Sequence, residues 1–372
     1  MRYRTLLSGA ALAVLTLTAA GCASDAPGSS GSSGLSGGTG AAANAADVTG
    51  GSGGTAVTAA QARQVFGSYV SGTATALSGG DKDAALALTT GVASDTVSGQ
   101  FAAAARTRAK LPSYKYGTPV FYRPALSTYP QWFVASVPRT ASAAPATGTT
   151  DGVRLSAHGQ VLLVFARESA GRPWLLASSA QLTPGQSLPA LATAANGDAV
   201  SAPLDDSATL GEPQVVGPLQ AAVVDDGPAS AASRAVAAGP LTTGIYATQN
   251  HPSPRYAAPH DDIRQWALEG SNYGTYALRT ADGGALVFYA MYLNTVIETH
   301  TVEEEASPLV AGPPIAIPPD FAPLLPANTP APKYSLETQY AMAFAAVDPP
   351  SATAGAKISV VALGGGPNWA NT

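Results

Sequence analysis

Few residues of this chain have types and spacings that could do chemistry. His251, His260, Asp261 and Asp262, in "HPSPRYAAPHDD", are a local cluster of possible metal ligands. The two histidines flank prolines and an arginine at a separation that matches no recognised ligand spacing. Asp261 is better explained as the N-cap of a helix through "HDDIRQWALEGSNY". His158 stands in a turn leading into a strand, and His300 ends a strand before Glu303, Glu304 and Glu305; both read as solvated or satisfied polar residues. Neither a metal nor a cofactor is expected.

Nucleophilic and phosphate chemistry find no better footing. No G-x-S-x-G elbow, S-x-x-K pair or K-T-G triplet occurs in the part expected to fold, and H-E-x-x-H and the Walker A pattern are absent from the chain. "GGG" at 364–366 follows a strand but leads to "PNWANT", with no helix N-terminus to receive an anion. Acid-base work would have to come from Asp95, Tyr116, Tyr122 or Tyr273, and nothing local makes them converge. Tyrosines are plentiful in both halves: Tyr114, Tyr116, Tyr122 and Tyr129, then Tyr273, Tyr276, Tyr289 and Tyr292. Tyrosine suits surfaces that are half apolar and half wet. These observations favour a non-enzymatic binding or scaffold module, the alternative being an enzyme that uses a cavity of the fold.

Cys22 is the sole cysteine of 372 residues. Ahead of it, Arg2 and Arg4 precede an apolar core at Leu6 to Thr18, too short and too diluted by Ser8, Gly9, Thr16 and Thr18 to span a bilayer, which takes about 20 apolar residues. Ala19-Ala20-Gly21-Cys22 resembles a bacterial lipobox, with Ala19 where leucine is usual. The resemblance implies a lipoprotein signal peptide at 1–21 and acylation of Cys22, which becomes the mature first residue. The expected address is the outer face of the cytoplasmic membrane. Residues 22–55 carry no aromatic residue and almost nothing large enough to bury, so a disordered tether reaching roughly 30 Å is expected. The partner this implies is the membrane, through the lipid. An envelope protein, polymer or small ligand could join it. A net charge of −5, with 12% of residues charged, offers no basic stripe for nucleic acid.

The elements that must position these residues are legible from their periods. Thr58 and Gln61 form a capping box before Val65, Phe66, Tyr69, Val70, Thr73 and Leu77 at helical spacing, and Gly79-Gly80 ends that helix. Asp81 opens a second helix, and "SDTVSGQFAAAARTRAK" reads as a third. The period then changes to two, giving strands at 114–124, 131–139, 159–168 and 172–182. "VLLVFARESAGRPWLLASSAQL" resembles the closing hairpin of the NTF2-like (cystatin-related) fold. The resemblance implies an α+β domain over 56–182, with helices on one face of a curved antiparallel sheet, and no particular reaction.

Residues 183–213 are polar and turn-rich, and read as a linker. A second, diverged α+β domain is expected over 214–372. Its helices are placed around "PASAASRAVAA" and from Asp261, with strands at "GTYALRT", "GALVFYAMYLNTVIETHTVEE", "YSLETQYAMAFAAVDPP" and "AKISVVALGGG". The penultimate strand puts Leu336, Thr338, Tyr340, Met342, Phe344 and Ala346 on one face, and is expected to be half-buried. A Pro-rich insertion, 306–333, carries Leu309, Ile315, Ile317, Phe321, Leu324 and Leu325, and so reads as an excursion wrapped on its own domain, or else a loop over the sheet mouth. The whole chain resembles uncharacterised actinobacterial lipoproteins of NTF2-like architecture in tandem, which implies an address and a fold.

Overall fold

The Thr58 hydroxyl accepts from the Gln61 amide at 3.1 Å while the Gln61 side chain accepts from the Thr58 amide at 2.9 Å, the reciprocal box that the sequence spells out. It starts α1 (Ala59–Gly79), which Gly80 ends in the left-handed conformation. Asp81 caps α2 (Lys82–Leu86), and α3 runs Gly91–Thr107. The computed structural model describes residues 56–142, 155–250, 261–269, 273–299 and 314–372. The signal peptide, Cys22, the tether, His251, His260 and His300 lie outside the described residues.

Five strands follow the helices: β1 (Tyr114–Tyr116), β2 (Val120–Tyr122), β3 (Gln131–Ala141), β4 (His158–Arg167) and β5 (Leu175–Leu182). The second half repeats this order. Its helices α4 (Glu212–Asp226) and α5 (Thr243–Asn250) precede β6 (Asp261–Glu269), β7 (Tyr276–Arg279), β8 (Ala285–Thr299), β9 (Ser335–Asp348) and β10 (Ser359–Asn371). In each half two strands pair with different stretches of the longer strand that follows them: β1 and β2 with β3, β6 and β7 with β8. All pairings between these strands are antiparallel, which bears out the α+β class with a large antiparallel sheet.

The two separate sheets expected from the sequence are one. The strand order β1-β3-β4-β5-β10-β9-β8-β6 is continuous, joined where Gln181 and Leu182 pair with Leu363 and Ala362. Residues from Gly51 onward form one compact unit. Residues 183–213 are correspondingly no free linker. Ala192 donates to the Arg279 carbonyl, Ser201 bridges Leu278, Thr209 bridges Pro350, and Asp206 pairs with the Arg279 guanidinium. Polar, turn-rich composition marked the segment as a boundary, yet its backbone groups are satisfied by β7 and by the chain after β9.

Alternate residues explain how the layers stack. Phe133, Ala135, Val137, Val161, Leu163 and Phe165 face α1 in one core, while Trp132, Val134, Leu162 and Val164 face the other way. That second set meets Tyr276, Leu278, Leu286, Phe288, Ala341, Ala343 and Ala345 in a core shared by both halves, with the Trp132 and Tyr276 rings 5.4 Å apart. The sheet therefore folds back on itself. On the far side, Tyr289, Met291, Met342 and Phe344 pack under α4 and α5. Strand β9 is thus buried on both faces from Tyr340 to Ala346, and only its first residues alternate, which corrects the half-buried expectation. Small alanines on the inner face let the two sheet halves approach, and that is why the strand looks weakly apolar there.

Two further expectations are corrected. "DDIRQWALE" is strand β6, paired with β8 from Asp261↔Thr299 to Glu269↔Met291, and Asp261 caps no helix. Ile263, Trp266 and Ala267 have helical spacing, but the 15-residue β8 presents an edge that this segment pairs along its whole length. In the other direction, α4 forms where the sequence showed mainly Gly217 and Pro218, because Val216, Gln220, Ala221, Val223 and Val224 are buried against the sheet. "PASAASRAVAA" makes only two short 3-10 turns, Gly227–Ala229 and Ala231–Arg234.

Candidate ligand cavity

Arg139 ends the run Phe133, Ala135, Val137 and so shares their face of β3, a cation placed at the end of an apolar stripe. Its strand neighbour across β1 is Tyr116, and across β4 it is Gly159. A Cβ at Gly159 would stand 2.4 Å from the Gln181 side-chain nitrogen. The glycine thus leaves room for Gln181 of β5 to lie across β4, where it accepts from Arg139 at 3.4 Å and donates to the Ser156 carbonyl at 3.0 Å.

Over this row α1 and α3 roof a cavity of about 920 Å³. Val70, Thr73, Ala74 and Leu77 line it from α1, Gln100 from α3, and Leu111 and Pro112 from the connection to β1. Tyr114, Tyr116, Arg139, Ser179, Gln181, Leu363 and Gly364 form the floor. Such a volume lies in the range of small-molecule sites. On the helix-facing side of the second half, the described residues pack closely under α4 and α5. Tyr289 donates to Gln220 at 2.6 Å, and the Phe321 ring stands edge-on to Tyr340 at 4.6 Å. In the described part of the Pro-rich insertion, Ile315 and Leu325 are buried with Ile297 and Leu336, while its 3-10 turn, Ala322–Leu324, packs against α3, so the excursion is not confined to its own half.

The electrostatics of the cavity are one-sided. Lys110 and Arg139 line it, and among the described residues no aspartate or glutamate does. Arg139 forms no ion pair among the described residues, and its buried Nε has no hydrogen-bond partner. The guanidinium lies 5.0 Å from the centre of the Tyr114 ring, and Gln100 hydrogen-bonds the Tyr114 side chain. Burial pushes the phenols of Tyr69, Tyr114 and Tyr116 up, while the Arg139 charge draws the last two back. At neutral pH these phenols are protonated donors.

A family model described as "Domain of unknown function (DUF8094)" matches residues 54–365, both halves and the cavity together. The chain belongs to this family. A relative from Streptomyces avermitilis, named "Uncharacterized lipoprotein", is 29% identical over 175 residues, which are 46% of this chain and 45% of that protein. The chain thus matches less than half the length of that relative. No solved structure matches.

Of the residues singled out by type, the structure brings Asp95 and Tyr273 together, though away from this family member's large cavity. The Tyr273 and Tyr292 hydroxyls both donate to Asp95 Oδ2, the latter at 2.9 Å, and burial raises both phenols first, with Asp95 adding to the shift. Beside them is a small cleft lined by Thr90, Gly91, Ser178, Tyr273 and Tyr276. Tyr276 itself lies in the shared core, its phenol pushed up to about 12 by burial and then by Glu168. Tyr122 is half-buried on β2, and Tyr129 lies 5.5 Å from Arg167. Of the eight tyrosines singled out, Tyr114 and Tyr116 line the large cavity.

His158 is the exposed first residue of β4, opposite Thr140 of β3, and not a turn residue; its Nδ1 lies 2.9 Å from the Thr140 hydroxyl. Among the described residues no three His, Cys, Asp or Glu side chains gather as a metal site. Sequence reasoning missed Arg139, Gln181 and Gln100. For Arg139 a signal existed: its parity places a charge on the buried face of an otherwise apolar strand.

Proposed function

We propose that this protein is a lipid-anchored binding module at the outer face of the cytoplasmic membrane, holding a small molecule in the cavity between α1, α3 and the sheet. The address rests on Cys22 and its preceding segment, and on the lipoprotein name of the Streptomyces relative. No helix among the described residues is long and apolar enough to cross a membrane. We further read the two halves as diverged copies of one NTF2-like unit, supported by the repeated order of helices followed by five strands, the first two of which pair with the third.

One observation carries the binding reading: the first half keeps a cavity of about 920 Å³ whose described lining contains no carboxylate. General acid-base catalysis draws on a titratable pair within reach of a substrate, and the described lining offers phenols held protonated, a guanidinium and the exposed Lys110, with neither a carboxylate nor a histidine beside them. The test uses the full chain carrying Cys22→Ala, without detergent, titrated with the neutral fluorophore N-phenyl-1-naphthylamine. Saturable uptake is expected. It should be lost in Ala74→Trp, an exposed α1 position where the indole would fill the cavity. Absence of saturable uptake by the Cys22→Ala chain overturns the reading.

A further inference from the structure

The cavity is chemically asymmetric. Val70 and Leu77 of α1, with Leu111 and Leu363, supply an apolar lining, while the polar groups gather around Arg139 on the sheet floor. A guanidinium without a carboxylate partner in a partly enclosed site is costly unless a counter-charge arrives, because burial of an unpaired ion is opposed by the loss of hydration. Gln181 accepts only at 3.4 Å, the Tyr116 hydroxyl that hydrogen-bonds Arg139 is uncharged, and Tyr114 offers a ring face, so none of them neutralises the charge. The buried, unpartnered Nε adds an unfilled donor on the same group. Gly159 matters here as well, since it permits the Gln181 amide to lie beside Arg139 and offer a second polar group to the same region of a ligand.

We propose that the cavity takes an amphipathic molecule with a single anionic head, a carboxylate or a phosphate monoester, whose head pairs with Arg139 and whose apolar tail lies along α1. The inference rests on the binding reading above and names its ligand class. A planar guanidinium pairs with either oxyanion through two parallel hydrogen bonds, which a neutral hydroxyl head cannot match. The tyrosine hydroxyls of the floor supply donors to the remaining head oxygens.

The experiment is displacement of N-phenyl-1-naphthylamine from the Cys22→Ala full chain by dodecanoate, dodecyl phosphate and dodecanol. Both anions, or one of them, should displace the probe at concentrations at least tenfold below dodecanol; displacement by one alone identifies the head. Arg139→Gln should erase that advantage and leave dodecanol unchanged, while Arg139→Lys should retain it. Raising salt should weaken the anions only. Dodecanoate and dodecyl phosphate no better than dodecanol, or an anion preference that survives Arg139→Gln, overturns the inference while the binding reading stands. Failure of the probe to bind at all removes the binding reading first. A folded Arg139→Lys chain with tight anion binding keeps the test informative should Arg139→Gln not fold.

Discussion

The Tyr292 hydroxyl donates to Asp95 Oδ2 at 2.9 Å across 197 positions of sequence, and Tyr273 donates to the same oxygen. Asp95 sits on α3 of the first half and both phenols belong to the second, so the carboxylate ties the halves together beyond the short β5–β10 pairing. Asp95→Ala would leave two hydroxyls without this acceptor, and should destabilise by about 1–3 kcal/mol. Combined with Tyr292→Phe, the loss should fall short of the sum of the single losses. Denaturant unfolding of the cycle checks this, and additivity within about 0.5 kcal/mol would show that the contact carries no coupling.

Gly364 stands where β10 meets β5. A Cβ there would lie 1.8 Å from the Ser179 carbonyl oxygen, a backbone atom that cannot swing away. Gly364→Ala should therefore cost at least about 3 kcal/mol or prevent folding. A Cβ at Gly366, two residues on, would meet nothing within 4 Å, and Gly366→Ala should change stability by less than about 1 kcal/mol. Thermal melts of the two variants, compared directly, decide the point.

Asp348 is fully buried and accepts from the Gly211 amide at 3.2 Å, at the start of α4. Burial raises its carboxyl from 3.8 to about 6, against the opposing effect of the Gly211 and Leu210 amides and the Thr209 hydroxyl. With the folded value above the unfolded one, the folded chain holds the proton more tightly. The contribution is present below about pH 4 and is lost as pH rises through 6. Relative to Asp348→Asn, which does not titrate, the natural chain should lose up to about 3 kcal/mol between pH 4 and pH 7. A pH-independent difference between the two in urea melts would contradict this.

Cys22→Ala should release or mislocalise the protein, since acyl chains contribute about 0.8 kcal/mol for each buried CH2. Membrane fractionation with mass spectrometry of the mature N-terminus checks it. A mature chain cleaved elsewhere, with an unmodified thiol, would sink the lipoprotein reading.

Local rules written in the sequence were enough for most element positions. Thr58 with Gln61, Asp81 and Gly80 set helix ends because a cap is made by side chains and glycines within a few residues of the end it serves. Period-two runs located β3, β4, β8 and β9 for the same reason. The tertiary structure decided what depends on a partner distant in sequence. Residues 261–269 became a strand because β8 offers them an edge, and β9 was buried on both faces because the sheet folds back upon itself. Gly364 proved to be a contact with Ser179 where the sequence suggested only a glycine run. Arg139 likewise acquired its meaning from β1, β5, α1 and α3 together. Hydrophobic period reports which face a residue takes, but whether that face meets another side chain or an open cavity is set by the volume left when separate elements pack.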